Sequence, residues 1–258
     1  MIEINLLPGG GKKGRAKGGM ALGSAFSGIG QRIKNPYLVT AVSSLAIALL
    51  SVGGLHFTQL SAGGVHTCGI ATGNAAYCWG WNGGGQVGDS TTANRLTPTP
   101  VWGGLPFTEI SANPGSDLEG HTCAVTTGNV AYCWGTNHNG ELGDSTINGH
   151  LIPTAVFGTL QVAYVGAARG YGCALTSGQA LHCWGINADG ELGDGTTNQH
   201  LTPYPVAGSL AFAQVSARFD HACGVTMSHT VYCWGTNDHG QLGDGTTTPR
   251  LAPTLVIQ

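Results

Sequence analysis

The chain has 258 residues, of which only 9% are charged and 44 are glycine, a composition that reads as disorder unless the glycines fall at fixed places. Net charge is −3, but residues 1–56 carry six cations and one anion, a net of +5, while residues 57–258 carry four arginines, no lysine and twelve acids, a net of −8. The larger part therefore lacks the cationic surface that nucleic-acid binding requires, and no nucleic-acid partner is expected.

The chain opens Met1-Ile2-Glu3-Ile4-Asn5-Leu6-Leu7-Pro8. This run resembles the start of PilN-like inner-membrane proteins of type IV pilus assembly, which carry a short cytoplasmic motif, one span and a periplasmic domain. The resemblance implies that Ile4, Asn5, Leu6, Leu7 and Pro8 dock on a cytosolic actin-like pilus ATPase. It covers about eight residues and the topology, and no ferredoxin-like periplasmic domain follows. The alternative is an ordinary apolar N-terminus without a partner. Residues 9–30 hold nine glycines and read as a connector.

After Lys34 the next charged residue is Asp89, and Tyr37 to Phe57 is a run of 21 residues rich in apolar side chains. As a helix it rises about 31 Å, close to the thickness of a bilayer's hydrocarbon core. The expected organisation is a basic, glycine-rich cytoplasmic segment (1–35), a transmembrane helix or signal anchor (36–56) and four repeats (57–258). All flanking cations lie on the N-terminal side, so the positive-inside rule places the repeats across the membrane. Two alternatives are a signal peptide cleaved near Ser51-Val52-Gly53, which gives a secreted protein, and a soluble core helix.

From residue 57 a repeat dominates. Trp79, Trp134, Trp184 and Trp234 each lie in a Cys-Trp-Gly triplet, at separations of 55, 50 and 50 residues. An Asn follows two residues past each Gly (Asn82, Asn137, Asn187, Asn237). Then comes a Gly-[Gln/Glu]-[Val/Leu]-Gly-Asp run ending at Asp89, Asp144, Asp194 or Asp244, and a strand containing Pro98, Pro153, Pro203 or Pro253. A period near 50 with several short strands per unit indicates propeller blades, here about 57–106, 107–160, 161–210 and 211–258. The runs resemble regulator-of-chromosome-condensation repeats, a seven-bladed β-propeller family, over about 200 residues. The implied fold class is all-β: a partial or open four-bladed propeller after the N-terminal transmembrane helix. In each unit an alternating strand precedes a hairpin; in the second, His121–Val125 turns at Gly128-Asn129 and returns through Val130–Trp134. The tryptophans are expected to pack between blades and the aspartates to hold turns.

All eight cysteines fall in pairs ten residues apart: Cys68/Cys78, Cys123/Cys133, Cys173/Cys183 and Cys223/Cys233. The hairpin register sets each pair face to face, near disulfide range. Export supplies the oxidising environment, and each short loop is worth roughly 2–3 kcal/mol on the chain-entropy model. The rival is a metal site, since His66, His121 and His221 each precede a Cys by two residues; Tyr171 breaks that pattern in the third unit, and no Cys-x-x-Cys knuckle occurs. Asn187-Ala188-Asp189-Gly190-Glu191 faintly resembles a calcium loop but is better read as a turn, because no Glu stands at position twelve. No metal and no cofactor are expected.

Residues that recur in every blade serve the blade, so a site is sought where the symmetry breaks. Asn113–Gly120 lengthens the second unit, and Arg169-Gly170-Tyr171 and Arg218-Phe219-Asp220 take the equivalent places in the third and fourth. Asp117, Glu119, Arg169, Tyr171, Arg218 and Phe219 are the candidate binding rim, against ordinary loop variation. No nucleophile elbow, Walker loop or zincin helix occurs, so an enzyme is not expected. The leading reading is a bacterial cell-envelope scaffold binding a protein or cell-surface ligand. Others are a pilus-assembly component with a propeller periplasmic part and, least favoured, a propeller hydrolase or lyase. Four blades of a seven-fold type cover little more than half a circle. The array is expected to be a fragment or an open arc, or to complete its propeller by self-association.

Overall fold

The computed structural model describes residues 54–115 and 120–257. The proposed docking motif, the glycine-rich segment and all of the 36–56 segment except Gly54–His56 lie outside the described residues, as do Asp117 and Glu119. Among the described residues no helix is long and apolar enough to cross a membrane.

The repeats form four antiparallel sheets of four strands, each made of consecutive strands in sequence order. Blade one is β1 (Phe57–Ala62), β2 (His66–Ala71), β3 (Ala76–Gly80) and β4 (Arg95–Pro100). Blade two is β5 (Phe107–Ala112), β6 (His121–Thr126), β7 (Ala131–Gly135) and β8 (His150–Ala155). Blade three is β9 (Val162–Ala168), β10 (Tyr171–Thr176), β11 (Leu181–Gly185) and β12 (His200–Pro205). Blade four is β13 (Phe212–Arg218), β14 (His221–Thr226), β15 (Val231–Gly235) and β16 (Arg250–Leu255). The proline-bearing strands β4, β8, β12 and β16 are sheet edges, where a missing N–H costs no ladder bond.

Local chemistry sets the register. The β6–β7 hairpin turns at Asn129, whose φ of 60° is one that asparagine tolerates. This turn faces Cys123 with Cys133, and the other blades face Cys68 with Cys78, Cys173 with Cys183 and Cys223 with Cys233. All four pairs are disulfide-bonded, with Cα atoms 4.1 Å apart. One residue later the ladder to the outer strand skips the tryptophan; in blade two the pairing passes from Cys133↔Thr154 to Gly135↔His150. Such a bulge bends the strand and re-aims the side chain between its neighbours. Gly135 permits it: its φ is 111°, and a Cβ there would meet the Gly120 carbonyl oxygen at 2.5 Å.

Each blade joins the next through the side chains so aimed. Trp134, Trp184 and Trp234 are fully buried, and their indole N–H groups donate to the carbonyls of Gln86, Glu141 and Glu191 in the preceding blade, at 2.9, 2.8 and 3.0 Å. Three apolar clusters fill the blade junctions, one around Ile70, Val101, Phe107 and Ile110, one around Val125, Val156, Val162 and Val165, and one around Leu175, Val206, Phe212 and Val215.

Candidate functional site

Two sets of residues carry the chemistry of the repeats. The first recurs in every blade. Asn82 Oδ1 accepts from the Val87 amide, while its Nδ2 donates to Asp89 Oδ1 and to the carbonyls of Thr91 and Ala93. Asn137, Asn187 and Asn237 repeat this hub. Each aspartate also takes the Thr two residues on and a cation or imidazole six residues on: Asp89 with Arg95, Asp144 with His150 at 2.7 Å, Asp194 with His200 at 2.8 Å and Asp244 with Arg250 at 2.6 Å. These fully engaged groups fold a long loop that has no strand of its own; they are structural. The i, i+6 pairing was visible in the sequence as a fixed Arg-or-His position and was overlooked there.

The second set breaks the symmetry. The turns between the first and second strands of all four blades gather on one rim. A concavity of about 450 Å³ opens there, lined by Gly64, Val65, Pro114, Gly115, Arg169 and Phe219. Asn113 ties the rim together. It is fully buried; its Nδ2 donates to the Ala168 carbonyl at 2.5 Å and lies 3.0 Å from His121 Nδ1, and its carbonyl accepts from the Gly64 amide. Asn113 thus joins blades two and three through its side chain and blades one and two through its backbone carbonyl. Sequence reasoning passed over Asn113 as a site residue, although it begins the insertion.

Of the expected rim residues, Arg169 and Phe219 line the concavity, Arg218 is exposed beside it, and Tyr171 does not reach the surface. Tyr171 is fully buried, and its hydroxyl donates to the His221 carbonyl at 2.8 Å, so it fastens blade three to blade four. Burial pushes its phenol well above the usual range. The alignment of the two turns also shifts by one residue. Tyr171 pairs with Ala168 and His221 with Arg218, so Phe219 occupies the place of Arg169. Phe219 is 52% exposed at φ 45°, a conformation that a bulky side chain adopts uncommonly. Arg169 lies 3.6 Å from Asp220, both partly exposed. The mouth therefore offers an aromatic face, a guanidinium with its carboxylate, and backbone edges.

Of the histidines in the supposed metal pattern, His66 serves a joint, and His121 Nδ1 meets Asn113 within its own blade. His66 Nε2 lies 2.8 Å from Thr122 Oγ1 of the next blade, and burial pushes its imidazole down to about 4. With the cysteines in disulfides, no group of three or more His, Cys, Asp or Glu side chains that could hold a metal occurs among the described residues.

Comparison with known proteins agrees with this architecture. The model of the Regulator of chromosome condensation (RCC1) repeat matches residues 228–258, and a second model of the same repeat matches residues 57–86 and 212–241. The ultraviolet-B receptor UVR8 of Arabidopsis thaliana is 29% identical over 82 residues, which are 31% of this chain and 18% of the receptor. Among solved structures, Prp20p of Saccharomyces cerevisiae superposes with a TM-score of 0.71 at 18% identity, covering 81% of this chain and 52% of its own. Human WBSCR16 gives 0.69 at 18% identity, covering 80% and 54%. The chain thus spans about half the length of these structures, and the likeness to them is one of fold.

Proposed function

From the premise that the chain carries RCC1 repeats, we propose that it is a non-catalytic scaffold, exported or membrane-anchored, that holds a protein ligand at the turn rim. The observation that carries this reading is Phe219, a half-exposed aromatic at positive φ on the wall of a concavity shared by all four blades. Binding energy concentrates on a few aromatic and arginine side chains in such places. Arg169 and Asp220 add polar recognition beside it, and Arg218 is exposed next to Phe219. One RCC1-type neighbour supports a protein as the ligand class: Prp20p, the yeast RCC1, binds Gsp1p and histones and is bound by Kap60. Those partners are not carried over, because the likeness is one of fold at 18% identity, and the acidic repeats, net −8, disfavour nucleic acid. Four disulfides are what an oxidising compartment allows, which supports export through the apolar 36–56 segment.

The test is site-specific photo-crosslinking in the native host. A photoreactive residue at Phe219 is expected to yield one discrete protein adduct that disappears with Arg169→Glu. The same probe at Phe157, equally exposed in the linker after β8, is expected to yield none. Equal labelling from both positions, or no adduct from Phe219, contradicts the reading. Deleting residues 2–8 should leave this adduct unchanged; its loss would favour a pilus-assembly role.

A further inference from the structure

The molecule builds the same blade-to-blade joint three times, and among the described residues its two outer blades present the two unmated halves of a fourth. In each internal joint a first strand lies on the preceding blade's second strand. The Phe107 amide donates to the Asn74 carbonyl, Val162 to Asn129 and Phe212 to Gln179, at 2.8, 2.8 and 3.0 Å. Ile110, Val165 and Val215 are buried at 1, 0 and 4% exposure. A leucine from the next blade's outer strand covers the turn glycine: a Cβ on Gly85 or Gly140 would meet Leu151 or Leu201 Cδ2 at 2.5 or 2.4 Å, and one on Gly190 would meet Leu251 Cα at 2.7 Å.

Among the described residues, blade one carries the inserting half without a recipient. Leu60, at the place of Ile110, is 61% exposed, and Leu96, at the place of Leu151, is 94% exposed. Leu55-His56-Phe57 repeats the Leu105-Pro106-Phe107 and Leu210-Ala211-Phe212 entries, and Leu55 is 38% exposed. Among the described residues, blade four carries the receiving half without an insert. Val231 and Val256 are only partly covered where Leu181 and Val206 are buried. A Cβ on Gly240 would meet nothing closer than its own loop at 3.8 Å, and one on Gly243 would meet only Val256 Cγ1 at 3.1 Å, where the equivalent Gly193 abuts Trp234. A concavity of about 440 Å³, lined by His229, Thr230, Val231, Leu255, Val256 and Ile257, opens at the place that receives Phe107 and Phe212 in the earlier joints.

We propose that a second copy of this chain occupies that place, head to tail. Its Leu55 and Phe57 enter the concavity, its Leu96 covers Gly240 and its Trp79 indole donates to the Gln241 carbonyl. The occupant is a copy of the chain because the receiving half is shaped for the insert that every other blade of this chain supplies, and because blade one displays that insert uncovered among the described residues. The contact is heterologous, so it joins two or more copies in one direction. It uses a different surface from the ligand rim and stands or falls apart from it.

The experiment is sedimentation velocity on the full chain, made in an oxidising compartment and held in mild detergent, over a hundredfold range of concentration. The wild type is expected to form dimers or longer assemblies. Leu60→Asp and Leu96→Asp, both at well-exposed positions, are expected to weaken association at least tenfold. Val256→Asp blocks the receiving half; mixed with Leu60→Asp it should restore a dimer through the one joint that remains between them. If Val256→Asp loses protease resistance, the two leucine variants carry the test. A wild type that is monomeric throughout overturns the proposal. Assembly untouched by Leu60→Asp and Leu96→Asp does so equally.

Discussion

The indole N–H of Trp184 donates to the backbone carbonyl of Glu141 at 2.8 Å, across the boundary between blades two and three. A Cβ on Gly143 would sit 2.7 Å from that indole nitrogen, so the bond forms only because the residue after Leu142 is glycine. Trp184→Phe removes the donor and leaves a buried carbonyl without it, a loss of about 1–3 kcal/mol. Gly143→Ala adds a clash to a φ of 66° and should cost more than Gly73→Ala, where φ is 89° but nothing lies within 4 Å. Urea midpoints of the three variants check the order; equal losses for the two alanine variants would contradict a joint set by this contact.

Stability is expected to fall on acidification in two stages. His66 is buried and its folded pKa is lowered to about 4, so its contribution is complete above its unfolded value near 6.5 and is lost as pH falls towards 4. The size is on the order of 3 kcal/mol from the difference between the two values. The loop aspartates follow. Burial alone would raise Asp89, Asp144 and Asp194, but bonds from their threonine and their Arg or His partner outweigh it; the Thr246 hydroxyl chiefly lowers Asp244, to about 2. Their contributions are present above about 4 and vanish as pH falls through the depressed values. Urea midpoints from pH 7 to 3 check this, and a flat profile between 7 and 4 would contradict it.

Glu141 offers the opposite sign. Burial raises its carboxyl, so its charged form weakens the fold at neutral pH and the deficit disappears as pH falls towards the unfolded value near 4.3. Blades one and four place glutamine there, and Gln86 and Gln241 still accept the turn amides of Gly84 and His239. Glu141→Gln should therefore raise the urea midpoint at pH 7 and leave it unchanged near pH 4.

Much of this was legible in the sequence because a repeat writes its pattern four times. Period-two strands, Gly-Asn turns and the fixed ten-residue cysteine spacing are local signals. What escaped depends on partners far along the chain. Tyr171 stands where other blades have histidine and reads as a rim aromatic; only the next blade's His221 carbonyl explains its burial. The one-residue offset between Arg169 and Arg218 follows from strand pairing, which the turn sequences alone do not fix. The aspartates were legible as turn holders, but their pairing with Arg95, His150, His200 and Arg250 crosses an irregular loop that periodicity does not describe.

The proposed placement of the repeats outside the reducing cell interior is tested most directly by the thiol state of protein taken from its native host. Membrane-fraction material, alkylated without reductant and weighed intact, should carry no label on its eight cysteines, and eight labels after denaturation and reduction. Eight labels before reduction, on protein that fractionates with cytosol, would contradict the exported, disulfide-bonded scaffold.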